Sequence, residues 1–305
     1  MTDKINTYHI PVLCDACIDG LDIKPDGVYV DVTFGGGGHS RAIFEKLSAK
    51  GFLYVLDQDA DAKANIWNAS NFSFIQSNFS FLSNQMKAKG VIEVDGIIAD
   101  LGVSSHQFDQ PERGFSLRNE AHLDMRMNAS SQSTAADVLN TYDEDDLVRI
   151  FRSYGEIKNA RRLAAEIVQQ RTDSDIQTTK KLIDLLSGLA PKFKEHKYYA
   201  QVFQALRIEV NKELEALESF LGQASDLLKP GGRLVVISYH SLEDRIVKNF
   251  MKKGNVQGDL EKDFFGNPLK PLTEVTRKPV VPDELEQKEN TRSRSAKLRI
   301  AKKNG

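Results

Sequence analysis

Four consecutive glycines, Gly35 to Gly38, stand between two groups able to do chemistry in the run Asp31-Val32-Thr33-Phe34-Gly35-Gly36-Gly37-Gly38-His39. Residues without a Cβ let backbone approach a ligand closely, so the loop fits binding, although a tight turn also uses glycines. No Lys-Ser/Thr pair follows, which excludes a P-loop. The dinucleotide spacing G-x-G-x-x-G fits Gly35 and Gly37 and fails at Ser40. About twenty residues further on, Asp57 is placed to accept both ribose hydroxyls of an adenosine ligand. Its plain alternative is a solvent-facing turn, and Asp59 offers another acid nearby. An adenosine site serves NAD and S-adenosylmethionine alike, and Asp31 bears on the choice. An acid at the edge of the loop repels a pyrophosphate and suits a cationic sulfonium and α-amino group. Asp100, in Asp100-Leu101-Gly102-Val103-Ser104-Ser105, is a third acid; no helix pattern follows it closely, so a site role is favoured over a cap.

These acids can meet only if strands deliver them to one edge. Residues 28–33 are a β-branched run, 52–56 a second strand ending at Asp57, 72–76 a third and 96–100 a fourth ending at Asp100. Helices are expected over 41–49, 61–68 and 79–89 between them. This alternation predicts an α/β fold with a doubly wound, Rossmann-like parallel sheet, whose ligands bind at the carboxyl ends of the strands. The rhythm then breaks. Residues 102–134 read as polar and irregular and 135–192 as helices, with Ala160, Leu163, Ala164 and Ile167 on one face. A long helix over 200–228 is expected to stop at the turn Lys229-Pro230-Gly231-Gly232, before a strand at 233–238, a helix at 242–253 and a last strand at 296–301. The predicted organisation is one domain in two parts, residues 1–110 and 199–305, interrupted by an all-helical domain at 111–198.

Length and composition agree. At 305 residues and 40% hydrophobic content the chain can bury cores for about two domains. No apolar run reaches the roughly 18 residues of a membrane helix, and the first residues suggest no secretion signal, so a soluble cytoplasmic protein is expected. The formal net charge of −2 conceals segregation. Residues 1–110 carry 8 Lys/Arg against 14 Asp/Glu, whereas 147–212 carry 13 against 7 and 241–305 carry 15 against 10. The basic blocks are either solvated surface or a footprint for a polyanion. Cys14 and Cys17 form one Cys-x-x-Cys without a second pair, which favours packing over zinc or redox chemistry.

Several separated motifs resemble the bacterial MraW/RsmH family of small-subunit (16S) ribosomal RNA methyltransferases, which act on N4 of a cytosine in the decoding region. They are Asp31–His39, Asp100–Ser105, Glu112–Ser116, Leu123–Met127 and Ser241–Lys248, with His9–Leu13 and Arg294–Ile300 at the two ends. The resemblance implies a class I S-adenosylmethionine-dependent fold with a helical substrate-recognition insertion. It also implies that Gly37, Gly38 and His39, with Gly36 and Asp31 beside them, meet the methionine end of the cofactor. Asp57 then takes the ribose, Phe79 meets the adenine (its alternative being a core position), and Asp100 and Gln107 complete the contacts. His106 departs from the proline of other members, which bears on loop stiffness.

The reaction so implied needs no metal. A cytosine amine is a poor nucleophile, so a carboxylate or carbonyl is needed beside it, and Asp100 is the first candidate for orienting it. The motif Asp-Leu-Gly-Val departs from the Asp/Asn-Pro-Pro-aromatic of many amino-methyltransferases. Arg113, Phe115 and Arg126 either line a base pocket or anchor their own loop. Arg161, Arg162, Lys180, Lys181, Lys192, Lys194 and Lys197 could meet phosphates. The expected partner is small-subunit rRNA, within the assembled or assembling subunit, with no membrane and with a homodimer left open. An NAD-dependent oxidoreductase and a non-enzymatic RNA-binding assembly factor are the competing readings.

Overall fold

A computed structural model describes residues 11–305; His9 and Ile10 of the first matching stretch, and the opening residues read for a secretion signal, lie outside the described residues. The chain divides into two compact units, one made of residues up to Gly102 with Leu214–Gly305, the other of Val103–Glu213.

The first unit is the expected doubly wound sheet. Its elements are α1 (Cys14–Leu21), β1 (Val28–Asp31), α2 (Gly38–Phe44), β2 (Phe52–Asp57), β3 (Phe72–Gln76), α3 (Leu82–Ala88) and β4 (Val94–Asp100). The second unit contributes α4 (Ser105–Asp109), α5 (Ala135–Thr141), α6 (Glu144–Ser153), α7 (Ala160–Asp173), α8 (Thr179–Ser187) and α9 (Glu195–Asn211). The chain then returns through α10 (Glu213–Leu227), β5 (Leu228–Ser238), α11 (Ser241–Lys253), β6 (Leu272–Glu274), α12 (Glu284–Glu289) and β7 (Lys297–Lys303). The seven strands lie in the order β3-β2-β1-β4-β5-β7-β6, with β1 to β5 parallel and β7 antiparallel to both its neighbours.

Alternate side chains of each central strand supply two separate cores. Val30, Ile97, Leu234 and Val236 face one layer, with Leu82, Met86, Leu217, Phe220 and Val247 from helices. Tyr29, Ile98, Val235 and Ile237 face the other, with Leu21 and Ile43. A sheet covered on both faces must be apolar on both, which is why these strands read as continuous β-branched runs. Cys17 is fully buried in that second layer, as a packing cysteine should be.

The sequence reading needs correction at particular places. The helix expected at 61–68 is only a 3-10 stretch, Ala60–Asn65. The single helix expected at 200–228 is two, because Lys212 adopts φ 50 and ends α9. Asn211 explains the break: its amide donates to the Met125 and Arg207 carbonyls and its oxygen accepts from Met127 N–H, fixing the helix end to a distant loop. Lys229–Gly232 does not precede the strand but lies inside β5 as a bulge, since Val94 pairs with Leu228 and Gly96 already with Arg233. The short strand β6 and helix α12 carry no periodic signal and were not expected.

The helical unit begins at Val103 rather than 111 and ends at Glu213 rather than 198. Its core explains the difference: α9 supplies Val202, Phe203 and Leu206 beside Phe151, Leu163 and Leu182, so this helix belongs to the insertion.

Candidate active site

In the first unit the carboxyl ends of β1, β2, β4 and β5 hold the chemistry. Asp31, at the end of β1, is buried, and its carboxylate accepts from Ser40 Oγ at 2.6 Å and from Thr33 N–H at 3.0 Å. The acid thereby ties the start of α2 to the loop before it. Thr33 Oγ1 in turn accepts the Asp100 N–H at 2.7 Å, locking the β1 loop to the end of β4. Across the loop, Gly35 N–H donates to Asp57 Oδ2 at 2.7 Å, and Asn65 Nδ2 donates to the Gly35 carbonyl at 2.9 Å. Asp57 Oδ1 accepts from Asp59 N–H at 2.8 Å.

Two of the glycines are there for different reasons. Gly37 has φ 76, a conformation other residues adopt with difficulty. Gly36 has nothing within 4 Å of where a Cβ would stand, so the backbone there lines open space. His39 Nε2 donates to the Val12 carbonyl at 2.9 Å, which turns Nδ1 toward Asp100 Oδ2, 3.8 Å away.

Tyr239, which the sequence reading missed, completes the group. Its Oη donates to Asp100 Oδ1 at 2.8 Å, and the Tyr239 N–H is held by Glu243 Oε2 at 2.8 Å. Burial and the adjacent Asp100 charge push its phenol well up, so it stays a donor. The only available signal was its place in Ser238-Tyr239-His240-Ser241, just after a strand.

Burial also pushes all three carboxyls above the usual range, Asp57 to about 6. Among the described residues no lysine or arginine ion-pairs with any of them; only His39 approaches Asp100. Three desolvated acids with no cation among them favour a ligand that brings positive charge. Phe79 stands just past β3, half-buried, its ring packed edge-on against Phe220 at 5.4 Å.

The remaining expected residues belong to the helical unit. Gln107 is buried, its side chain accepting the Ser104 N–H in a capping box on α4. Arg113 donates to the Arg126 and Met127 carbonyls at 3.0 Å each. Arg126 grips Asp124 with two bonds of 2.8 Å and also reaches the Ala129 and Ser131 carbonyls. Phe115, at 5% exposure, is part of the helical core. For these three, the anchoring alternative describes the contacts found. Lys181 is likewise engaged, by the Ser174 and Asp175 carbonyls, whereas Arg161, Arg162, Lys180, Lys192, Lys194 and Lys197 are exposed.

The model of the MraW methylase family matches residues 6–304 of the chain. Ribosomal RNA small subunit methyltransferase H of Bacteroides thetaiotaomicron is 55% identical over 297 residues, covering 97% of this chain and 98% of that protein. The protein of the same name from Flavobacterium johnsoniae is 53% identical over 296 residues, covering 97% and 98%.

Proposed function

The chain belongs to the MraW methylase family, and from that premise we propose that it methylates N4 of a cytidine in the decoding region of small-subunit rRNA, using S-adenosylmethionine, on the assembled or assembling subunit in the cytoplasm. The observation that carries the cofactor is the acid set. Asp31, Asp57 and Asp100 surround a glycine loop without a paired lysine or arginine, and Gly36 leaves room at the backbone. Such a set suits a ligand with a sulfonium, an ammonium and ribose hydroxyls, and it disfavours the pyrophosphate of a dinucleotide.

When bound, the cofactor would supply an electrophilic methyl group for the amine nitrogen, with its thioether as leaving group and with solvent or Asp100 taking the proton the amine loses. The protein's part is to hold and polarise that amine. Asp100 is the carboxylate for this role, kept in one orientation by the Tyr239 hydroxyl and the Thr33 lock on its backbone. Methylation at C5 of a pyrimidine would instead need a cysteine thiolate. Burial pushes the Cys14 thiol up to about 11 and raises the Cys17 thiol well above its usual range, so both remain protonated at neutral pH. That supports the amine as the acceptor.

Asp57 gives the cofactor site a pH dependence. Its raised carboxyl favours the unliganded fold while protonated, and that contribution is lost as pH rises through about 6. A cationic ligand prefers the ionised form, so binding should release protons and weaken below pH 6. Calorimetry should find cofactor affinity about tenfold lower at pH 5 than at pH 7; a flat profile would show that Asp57 does not face the ligand.

The function is tested by nucleoside mass spectrometry of rRNA from cells with and without the protein, and by transfer of labelled methyl to small subunits. The expected result is one N4-methylcytidine lost with the protein and labelled by it. Absence of label from small-subunit rRNA refutes the reading.

A further inference from the structure

We propose that Phe193 and the lysines around it, Lys192, Lys194 and Lys197, form a seat for one unstacked base of single-stranded RNA on the helical unit. This deepens the rRNA reading and rests on it. Between α8 and α9 the Lys194 N–H donates to the Pro191 carbonyl at 3.0 Å, closing a four-residue turn with Phe193 in its third position. Phe193 there has φ 64, where turns of this kind use glycine or asparagine. A bulky residue in this region is a genuine outlier, and strain of this sort clusters at ligand clamps.

Nothing in the unit repays that strain by packing, because Phe193 is 96% exposed. The turn is nevertheless held: Glu195 Oε1 accepts the Phe193 N–H at 3.0 Å, which also commits the acid nearest the ring to the backbone. Lys192 and Lys194 beside it in the chain, and Lys197 at the start of α9, are exposed. An exposed aromatic face with lysines on both sides of it in the sequence, and another one helical turn on, matches a splayed base with its flanking phosphates. A protein partner fits less well. Among the described residues of this unit the only other exposed large apolar side chain is Phe108, so no contiguous apolar patch surrounds the ring.

The test measures binding of the full-length protein to a fluorescein-labelled single-stranded RNA of mixed sequence by anisotropy, across a salt series. Phe193→Gly relieves the backbone, so its melting temperature should be unchanged or higher while its Kd weakens by about tenfold or more. Phe193→Tyr keeps the π-face and should bind within about twofold of the parent. Phe193→Leu keeps apolar bulk without the face and should bind as weakly as the glycine variant. Lys192→Ala with Lys194→Ala should flatten the dependence of log Kd on log salt by about 0.7 for each phosphate no longer neutralised. Cofactor affinity by calorimetry should not change in any variant. Equal affinity in the parent, glycine and leucine proteins overturns the seat, and so does a leucine variant that binds as the parent does. A parent that labels rRNA while indifferent to Phe193 refutes the seat alone; one that neither labels nor binds RNA refutes the functional reading with it.

Discussion

Asp100→Ala is expected to lower kcat by about 10²–10⁴-fold while the Kd for S-adenosylmethionine changes far less. That magnitude is typical of removing a positioned acid–base group. Asp100 is the one acid of the three whose side chain accepts from no loop amide: its Oδ1 accepts from Tyr239 Oη at 2.8 Å, whereas Asp31 accepts the Thr33 N–H and Asp57 those of Gly35 and Asp59. It is therefore the one whose free oxygen can serve a substrate amine instead of shaping the glycine loop. Alanine also takes the carboxylate partner from the half-buried Tyr239 hydroxyl, so melting must be followed alongside the kinetics. Asp100→Asn separates the effects, because its amide oxygen still accepts from Tyr239 while the charge is gone. A kcat loss in both variants assigns the charge a role in transfer. A rise in KM for the cofactor at unchanged kcat would restrict Asp100 to holding the ligand.

The glycine loop supplies the second large effect, and here two neighbouring positions should part company. At Gly37, φ 76 penalises any Cβ, and that atom would meet the Phe34 ring at 3.1 Å. Phe34 has nowhere to go, being buried among Trp67, Phe72 and Phe74 with ring centroids 6.0, 6.0 and 5.7 Å away. Gly37→Val should destabilise the protein by about 2–3 kcal/mol and weaken cofactor binding by about 100-fold. At Gly36 a Cβ meets nothing within 4 Å. Gly36→Ala should fold as the parent does, by melting temperature, yet lose cofactor affinity, because in the proposed site the space its methyl enters is the ligand's. Parent-like affinity at Gly36→Ala would place the ligand elsewhere.

What was legible in the sequence shares one property, that its cause is local. The β-branched run before the glycines, the apolar strand ending at Asp57 and the one ending at Asp100 identify strand, loop and edge from neighbouring residues alone. Parallel strands with helical crossovers then bring their carboxyl ends to one side of the sheet, so Asp31, Asp57 and Asp100 fall together without further information. Where local signal was weak the reading went astray. A 3-10 stretch at Ala60–Asn65 contains Asp61, Ala62 and Lys63 in helix-like order but buries only Ala62.

The rest was settled by partners far away along the chain. Arg113, Phe115 and Arg126 look equally suited to a base pocket and to a packed loop, and only the fold shows the carbonyls and core that they meet. Lys212 interrupts what the apolar periodicity presents as one helix because Asn211 is drawn to the Met125–Met127 loop. That break also assigns α9 to the insertion. Tyr239 reaches Asp100 only because β5 pairs with β4, which no spacing within either strand encodes. The amino-acid sequence by itself thus determined the sheet, the loop and the acids, whose conformations follow from short-range sterics and hydrophobic periodicity. Tertiary structure alone decided which polar groups are engaged, because a hydrogen bond or a buried ring is fixed by whatever the fold places opposite it.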